Sequence, residues 1–232
     1  MRRVMGTITH VATREAVVAL TFDDGPHPEC TLALLEILAR HRAHATFFML
    51  GEAARRDPVL VRRVAQAGHA IGNHSWNHPS FPLKTRRERK AQILACAQTL
   101  APFGQQLFRP PYGEQNMASR LDAWLLGYQV VTWNLDVGDW WDPDADRMAW
   151  LLAERARPGD IVVLHDALYR QTEAGREPKL ARQPNIDRTA MLAAVEMFLE
   201  RASDRFRFLT VPELLRHGRP YQMGWYQMTP PA

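Results

Sequence analysis

Cysteine is nearly absent: the 232 residues contain two, Cys30 and Cys96. Thiols so few and so far apart form neither a metal-binding spacing nor a disulfide framework, and they read as buried free thiols rather than one bridge. Long apolar runs are missing as well, so no stretch can span a bilayer. The basic start, Met1-Arg2-Arg3, leads into Thr7, Thr9, His10 and Arg14 instead of the apolar core of a secretion signal. The expected compartment is therefore the cytoplasm, unless the sequence is a trimmed form. The formal net charge is +4, but the basic residues sit in helical stretches with no interleaved aromatics. That pattern reads as solvated helix faces, with attraction to an anionic polymer such as a cell wall or membrane surface as the alternative, and nothing in it argues for a nucleic-acid partner. No Gly-x-Gly-x-x-Gly or phosphate loop follows the first strand, which counts against a nucleotide-binding sheet. With no internal repeat and no linker, residues 1–232 are expected to form one domain; the sequence is silent on oligomeric state, with a monomer favoured.

What is present is a steady alternation of short apolar runs with amphipathic stretches. Val17 to Leu20 reads as a buried strand, shut off by Gly25-Pro26 after the pair Asp23-Asp24. Thr31 to Ala39 reads as a helix, Ala45 to Leu50 as a strand, and Asp57-Pro58 as the start of a helix through Ala67. Ala70-Ile71-Gly72 is a third strand, and Thr85-x-x-Glu88 is a capping box opening a helix to about Leu100. Leu107 to Arg109 follows as a strand, Asn116 to Leu126 as a helix and Tyr128 to Trp133 as a strand. A helix from Asp142-Pro143 and the strand Ile161 to Leu164 come next, then a polar loop from Tyr169 to Pro184. A helix capped by Asp187, a strand from Phe206 to Leu209, a helix opened by Thr210 and a surface tail from Gly218 complete the chain. Some seven strands alternating with helices argue for an α/β fold, a distorted barrel of about seven parallel strands, with an open doubly wound sheet as the other solution.

The unusual polar residues fall at the ends of these strands, where parallel barrels keep their active sites. Asp23-Asp24 follows the first strand, His74-Ser75-Trp76-Asn77-His78 the third and Arg109-Pro110-Pro111-Tyr112-Gly113 the fourth. Asp136-Val137-Gly138-Asp139-Trp140-Trp141 follows the fifth, and His165-Asp166 the sixth. His74 and His78 are four apart, which on a helical turn puts both imidazoles on one side, a pattern suited to a metal. No Glu stands between them, so a third ligand and a base must come from elsewhere. The Asp pair can supply one of each. Two imidazoles, one carboxylate and water make an open catalytic site for Zn²⁺ or a similar divalent ion such as Co²⁺.

In order, Thr-Phe-Asp-Asp-Gly-Pro, His-Ser-x-x-His, Arg-x-Pro-Tyr, Asp-x-x-Asp-Trp and an apolar-x-His resemble the five motifs of the NodB-homology polysaccharide deacetylases, carbohydrate esterase family four. The likeness runs from about Val17 to His165, and less specifically to Leu215. It implies that Asp24, His74 and His78 hold the metal, that Asp23 is the general base and that His165 protonates the leaving amine. It further implies that Arg109 orients Asp23, that Asp139 keeps His165 charged and that the Tyr112 backbone N–H receives the oxyanion. Trp140, with Trp141, Trp76 and Tyr112, would form a stacking floor for a sugar ring, and Pro111 and Val163 would line the pocket. Val163 stands where the family usually has Leu, which would widen the space for the acetyl methyl. The implied substrate is an N-acetylated oligo- or polysaccharide of chitooligosaccharide, chitin or peptidoglycan type. Two other readings stay open: a C–N hydrolase acting on cyclic ureides or imides, and a carbohydrate-binding relative that has lost catalysis.

Overall fold

The structure, a computed structural model, describes residues 6–169 and 187–223. All of the expected Tyr169–Pro184 loop except Tyr169 lies outside those residues, as does the tail beyond Met223. The centre of the molecule is the strand β2 (Val17–Asp23), every residue of which is buried. It is flanked by β3 (Ala45–Met49) on one side and β8 (Ile161–His165) on the other, both parallel to it. From β3 the sheet continues through β4 (Ala70–Asn73) and β5 (Gly104–Phe108) to β6 (Gln129–Val130). From β8 it continues to β7 (Leu135–Asp136). Seven parallel strands thus run in the order β6-β5-β4-β3-β2-β8-β7, with a further short strand, β9 (Arg207–Phe208), paired beside the start of β2. This is a curled barrel left open between β6 and β7.

That opening explains the first difference from the sequence reading. The stretch before β2 looks too polar for a strand, yet β1 (Thr7–Ala12) pairs antiparallel with β10 (Arg219–Met223). Single bridges from Ile8 to Val131 and from His10 to Asp160 lay β1 across the gap. The expected surface tail from Gly218 therefore begins as a strand. The strand read as Tyr128 to Trp133 is shorter and is followed by a separate β7, because the chain leaves the ladder at Thr132, whose N–H bonds to Ile8.

Period-2 alternation sorts β2 into two rows. Val18, Leu20 and Phe22 face the layer packed by α1 (Cys30–Arg40), α6 (Ala145–Arg155) and α7 (Thr189–Ala202). Val17 and Ala19 face inward with Phe48, Trp133, Ile161 and Val163. The inner row of β2 continues through Thr21 to Asp23, so a core strand delivers a carboxylate at its open end. Both cysteines are buried and free, as expected.

The remaining helices lie close to their sequence positions. α3 (Pro58–Gln66) takes its N-cap from Asp57, and α4 (Arg86–Leu100) and α8 (Val211–Leu214) begin with the capping boxes at Thr85 and Thr210. α5 (Met117–Leu125) is capped by Asn116. Two starts move. α6 is capped by Asp144 and not Asp142, and the N-cap of α7 is Arg188, with Asp187 accepting from the Thr189 N–H at 2.8 Å. The short helix α2 (Gly51–Arg56) directly follows β3, where its single turn and a half carries too little periodicity to be read.

Candidate active site

At the open ends of β2, β4, β5 and β8 the polar residues singled out above meet. Asp24 leaves the strand with φ 74°, and Ser75, His78 and Tyr112 have φ of 75°, 59° and 59°. Four of the five non-glycine residues with such φ among the described residues thus surround one site. Each left-handed conformation costs about 1–3 kcal/mol, and such outliers gather where function over-determines the backbone.

His74 and His78 do not share a helical turn; that expectation is corrected. They lie in an irregular, bent loop after β4. Asn73 Oδ1 takes the Ser75 N–H at 2.9 Å, Ser75 Oγ takes the His78 N–H at 3.1 Å, and Gln92 on α4 accepts from the Trp76 and Asn77 N–H groups at 2.9 and 3.1 Å. The result is the convergence that a helix would have given. Both Nε2 atoms stand 3.4 Å from Asp24 Oδ1.

These three side chains could together hold a metal ion. Asp24 Oδ1 is buried and accepts no hydrogen bond, although its partner oxygen receives the Tyr169 backbone N–H at 3.0 Å. Nitrogen and oxygen ligands around a tetrahedral Zn²⁺ at about 2.0–2.1 Å stand about 3.3 Å apart, close to the spacing found here. His74 Nδ1 lies 2.8 Å from the Arg109 carbonyl and donates to it, which leaves the Nε2 lone pair facing Asp24. The edge of the His78 ring meets Tyr112 at 4.3 Å. Burial, opposed by Asp24, draws the pKa of His78 down to about 4, so the imidazole is neutral as a ligand must be. Burial also works against the Asp24 carboxylate, but His78 and His74 outweigh it and hold Asp24 well below the usual carboxylate range. An orphaned carboxylate oxygen with two imidazole Nε2 atoms facing it fits a divalent cation.

Asp23 is held apart from this set. The wholly buried Arg109 donates from Nη1 to Asp23 Oδ1 and to Thr21 Oγ1, both at 2.7 Å, and from Nη2 to the Thr132 carbonyl at 2.8 Å. Its guanidinium lies 4.0 Å over the Phe48 ring. Asp23 Oδ2 stands 3.9 Å from His74 Nε2. On the other flank, Asp139 Oδ1 is 3.0 Å from His165 Nδ1, and Asp139 Oδ2 accepts from the His165 backbone N–H at 2.8 Å. Burial disfavours the imidazolium, yet Asp139, by charge and by hydrogen bond, lifts His165 to about 9. Asp136 aims this turn by accepting from the Gly138 N–H at 2.8 Å, and burial raises its own pKa to about 6.

The expected sugar platform is less uniform. Trp76 lies under Arg55, 4.8 Å from the ring centroid, and Trp141 packs against Gly138, within 2.6 Å of where a Cβ would stand. Trp140 is half-buried and meets Trp141 edge-on at 6.3 Å. Pro111 is buried and Tyr112 half-buried in the turn after β5. Val163 is fully buried one pleat below His165 on the inner row.

Three contributors carried no sequence signal. Arg188, seen only as a residue near a helix start, donates to the Asp139 carbonyl at 3.0 Å and to its Oδ2 at 3.3 Å. Tyr169 reaches Asp24 through its backbone, which no side-chain motif reports. Asp166, noted only as the neighbour of His165, is fully buried, accepts from the Thr31 hydroxyl and packs its carboxylate on Gly25.

Comparison with known proteins agrees with this geometry. A family model described as polysaccharide deacetylase matches residues 10–131. A peptidoglycan-N-acetylglucosamine deacetylase of Bacillus cereus is 35% identical over 212 residues, covering 89% of this chain and 92% of the relative. A chitooligosaccharide deacetylase of Azorhizobium caulinodans is 35% identical over 70% of this chain and 80% of its own. The crystal structure of a peptidoglycan N-acetylglucosamine deacetylase in complex with 4-naphthalen-1-yl-N-oxidanyl-benzamide superposes with a TM-score of 0.78 at 28% identity, covering 92% of this chain and 94% of that one. With its barrel, its Asp-Asp pair and its two histidines, the chain belongs to the polysaccharide deacetylase family.

Proposed function

We propose that the protein is a metal-dependent hydrolase that removes the acetyl group from N-acetylglucosamine units of an oligo- or polysaccharide, giving acetate and a free amine. The observation that carries this reading is the separation of duties around one rim. A three-ligand set stands between a carboxylate locked by Arg109 and an imidazole charged by Asp139. A divalent cation held by Asp24, His74 and His78, with Zn²⁺ the best match to two imidazoles and one carboxylate, supplies Lewis acidity toward water and the acetamide carbonyl.

The chain's own residues perform the proton transfers. Asp23, oriented by Arg109, accepts a proton from the attacking water. The Tyr112 backbone N–H donates to the oxygen on which negative charge develops. As the C–N bond breaks, His165 gives its proton to the sugar nitrogen, which leaves as an amine and not as an amide anion. Solvent then removes the proton from Asp23 and restores the one on His165. Trp140 and Tyr112 offer aromatic surface to a sugar ring, Pro111 stiffens the turn beneath it and Val163 closes the floor below His165.

The test is acetate release from a ladder of N-acetylchitooligosaccharides and from peptidoglycan fragments, before and after exhaustive chelation. Activity lost on chelation and recovered with Zn²⁺ or Co²⁺ supports the reading. Activity that survives chelation defeats it, and the preferred rung of the ladder identifies the polymer. The Asp-Asp pair and the Arg-x-Pro-Tyr turn are intact, which favours this reading over a ureide or imide hydrolase and over a silent carbohydrate binder.

A further inference from the structure

A second concavity lies away from the strand-end rim. Where β1 and β10 pass the edge strand β6 and the end of α5, a cavity of about 280 Å³ is lined by Ile8, Arg120, Trp124, Tyr128, Gln129 and Gln222 among others. It shares no residue with the metal triad, with Asp23 or with His165. Its size suits a compact organic molecule.

Arg120 sets this cavity apart from an ordinary surface fold. The residue is only 6% exposed, and its Nε and Nη1 donate to nothing. Among the described residues, the other buried arginines each meet a carboxylate: Arg109 meets Asp23, Arg89 meets Asp122 and Arg188 meets Asp139. Asp122, two residues beyond Arg120, is already taken by Arg89 and Arg86. Thr7, which stands in the chain between the lining residues Gly6 and Ile8, donates its hydroxyl to Gln115 at 2.6 Å, and Gln115 Nε2 has no partner. A buried guanidinium with unanswered N–H donors is costly unless an acceptor of opposite charge reaches it. Trp124, Tyr128 and Ile8 give the lining its apolar part, and the exposed Gln129 and Gln222 add amides.

We propose that this cavity binds a compact organic carboxylate, its charge on Arg120 and its apolar body against the lining that Trp124, Tyr128 and Ile8 supply. Carboxylate and guanidinium match in charge and in planar geometry, and the aromatic walls select a ligand with a body over a bare anion.

Benzoate and inorganic phosphate are the probes, titrated calorimetrically into the full chain and into a His74→Ala variant so that carboxylate binding at the triad is not counted. The expected result is saturable benzoate binding in both proteins, at least tenfold weaker in Arg120→Gln and several-fold weaker in Trp124→Ala. Absence of saturable binding, equal affinity in Arg120→Gln, or phosphate binding as tightly as benzoate overturns the proposal. Should Arg120→Gln fail to fold, Gln129→Glu serves instead: a like charge at the exposed mouth is expected to weaken benzoate tenfold, and unchanged affinity overturns the proposal. A crystal soaked in 4-bromobenzoate is expected to show anomalous bromine density beside Trp124; density confined to the strand-end rim would count against it.

Discussion

Two adjacent aspartates end one strand, and their surroundings give them different work. Asp23 continues the inner row of β2 and meets a guanidinium; Asp24 turns out with positive φ and meets two imidazoles. Asp23→Asn keeps the size and loses the basicity. It is expected to lower kcat by about 10²–10⁴-fold with bound metal unchanged, checked by acetate release alongside metal analysis. If metal is lost in step with activity, the two roles have been exchanged. Asp139 governs the other proton. With His165 lifted to about 9, the acid form is present below that pH and is lost as pH rises through it. Asp139→Asn removes the opposing charge and leaves burial to lower the pKa. The alkaline limb of kcat/KM should therefore move down by about one to three pH units, measured as a pH–rate profile. The motifs made Asp23, Asp139 and His165 legible at this scale. Arg188 was not, because its link to Asp139 is set by how α7 docks on the loop after β7, and nothing near residue 188 in the chain records that.

At the scale of elements, local signals were readable and long-range ones were not. Asp57, Thr85 and Thr210 announced their helices because a cap needs only the first turn. β1 and β7 escaped because their hydrogen bonds come from distant segments, and a six-residue stretch such as α2 carries too little periodicity. In the histidine loop the spacing of four implied a helical turn, while Asn73, Ser75 and Gln92 hold an irregular loop that brings both rings to Asp24. The turn at Gly25 is equally constrained. A Cβ there would stand 2.4 Å from the Asp166 carboxylate oxygens, which are fixed by burial and by Thr31. Gly25→Ala must push Asp166 or Asp24 aside. It is expected to destabilise the fold by about 1–3 kcal/mol and to weaken metal binding, read from denaturant unfolding and competition with a chelating dye. Unchanged affinity for metal would mean that Asp166 does not position the ligand.

For the whole molecule, the proposed metal triad would act as a cross-link completed by its ion. One ligand ends β2 and two follow β4, with β3 between those strands, so the native sheet alone brings the three donors within reach. An unfolded chain scatters them over fifty-odd residues and binds far more weakly. A cation bound by the native state and not by the unfolded one stabilises by about 2.7 kcal/mol at a hundred times its dissociation constant. In a domain of this size that corresponds to a rise in Tm of about 5–10 °C. Thermal unfolding with excess Zn²⁺ and with chelator should differ by this amount in the native protein. His78→Ala, which empties one corner of the set, should lose most of the difference. A Tm indifferent to chelation would mean that folding does not preform the site, and the barrel would then be a scaffold for some other chemistry.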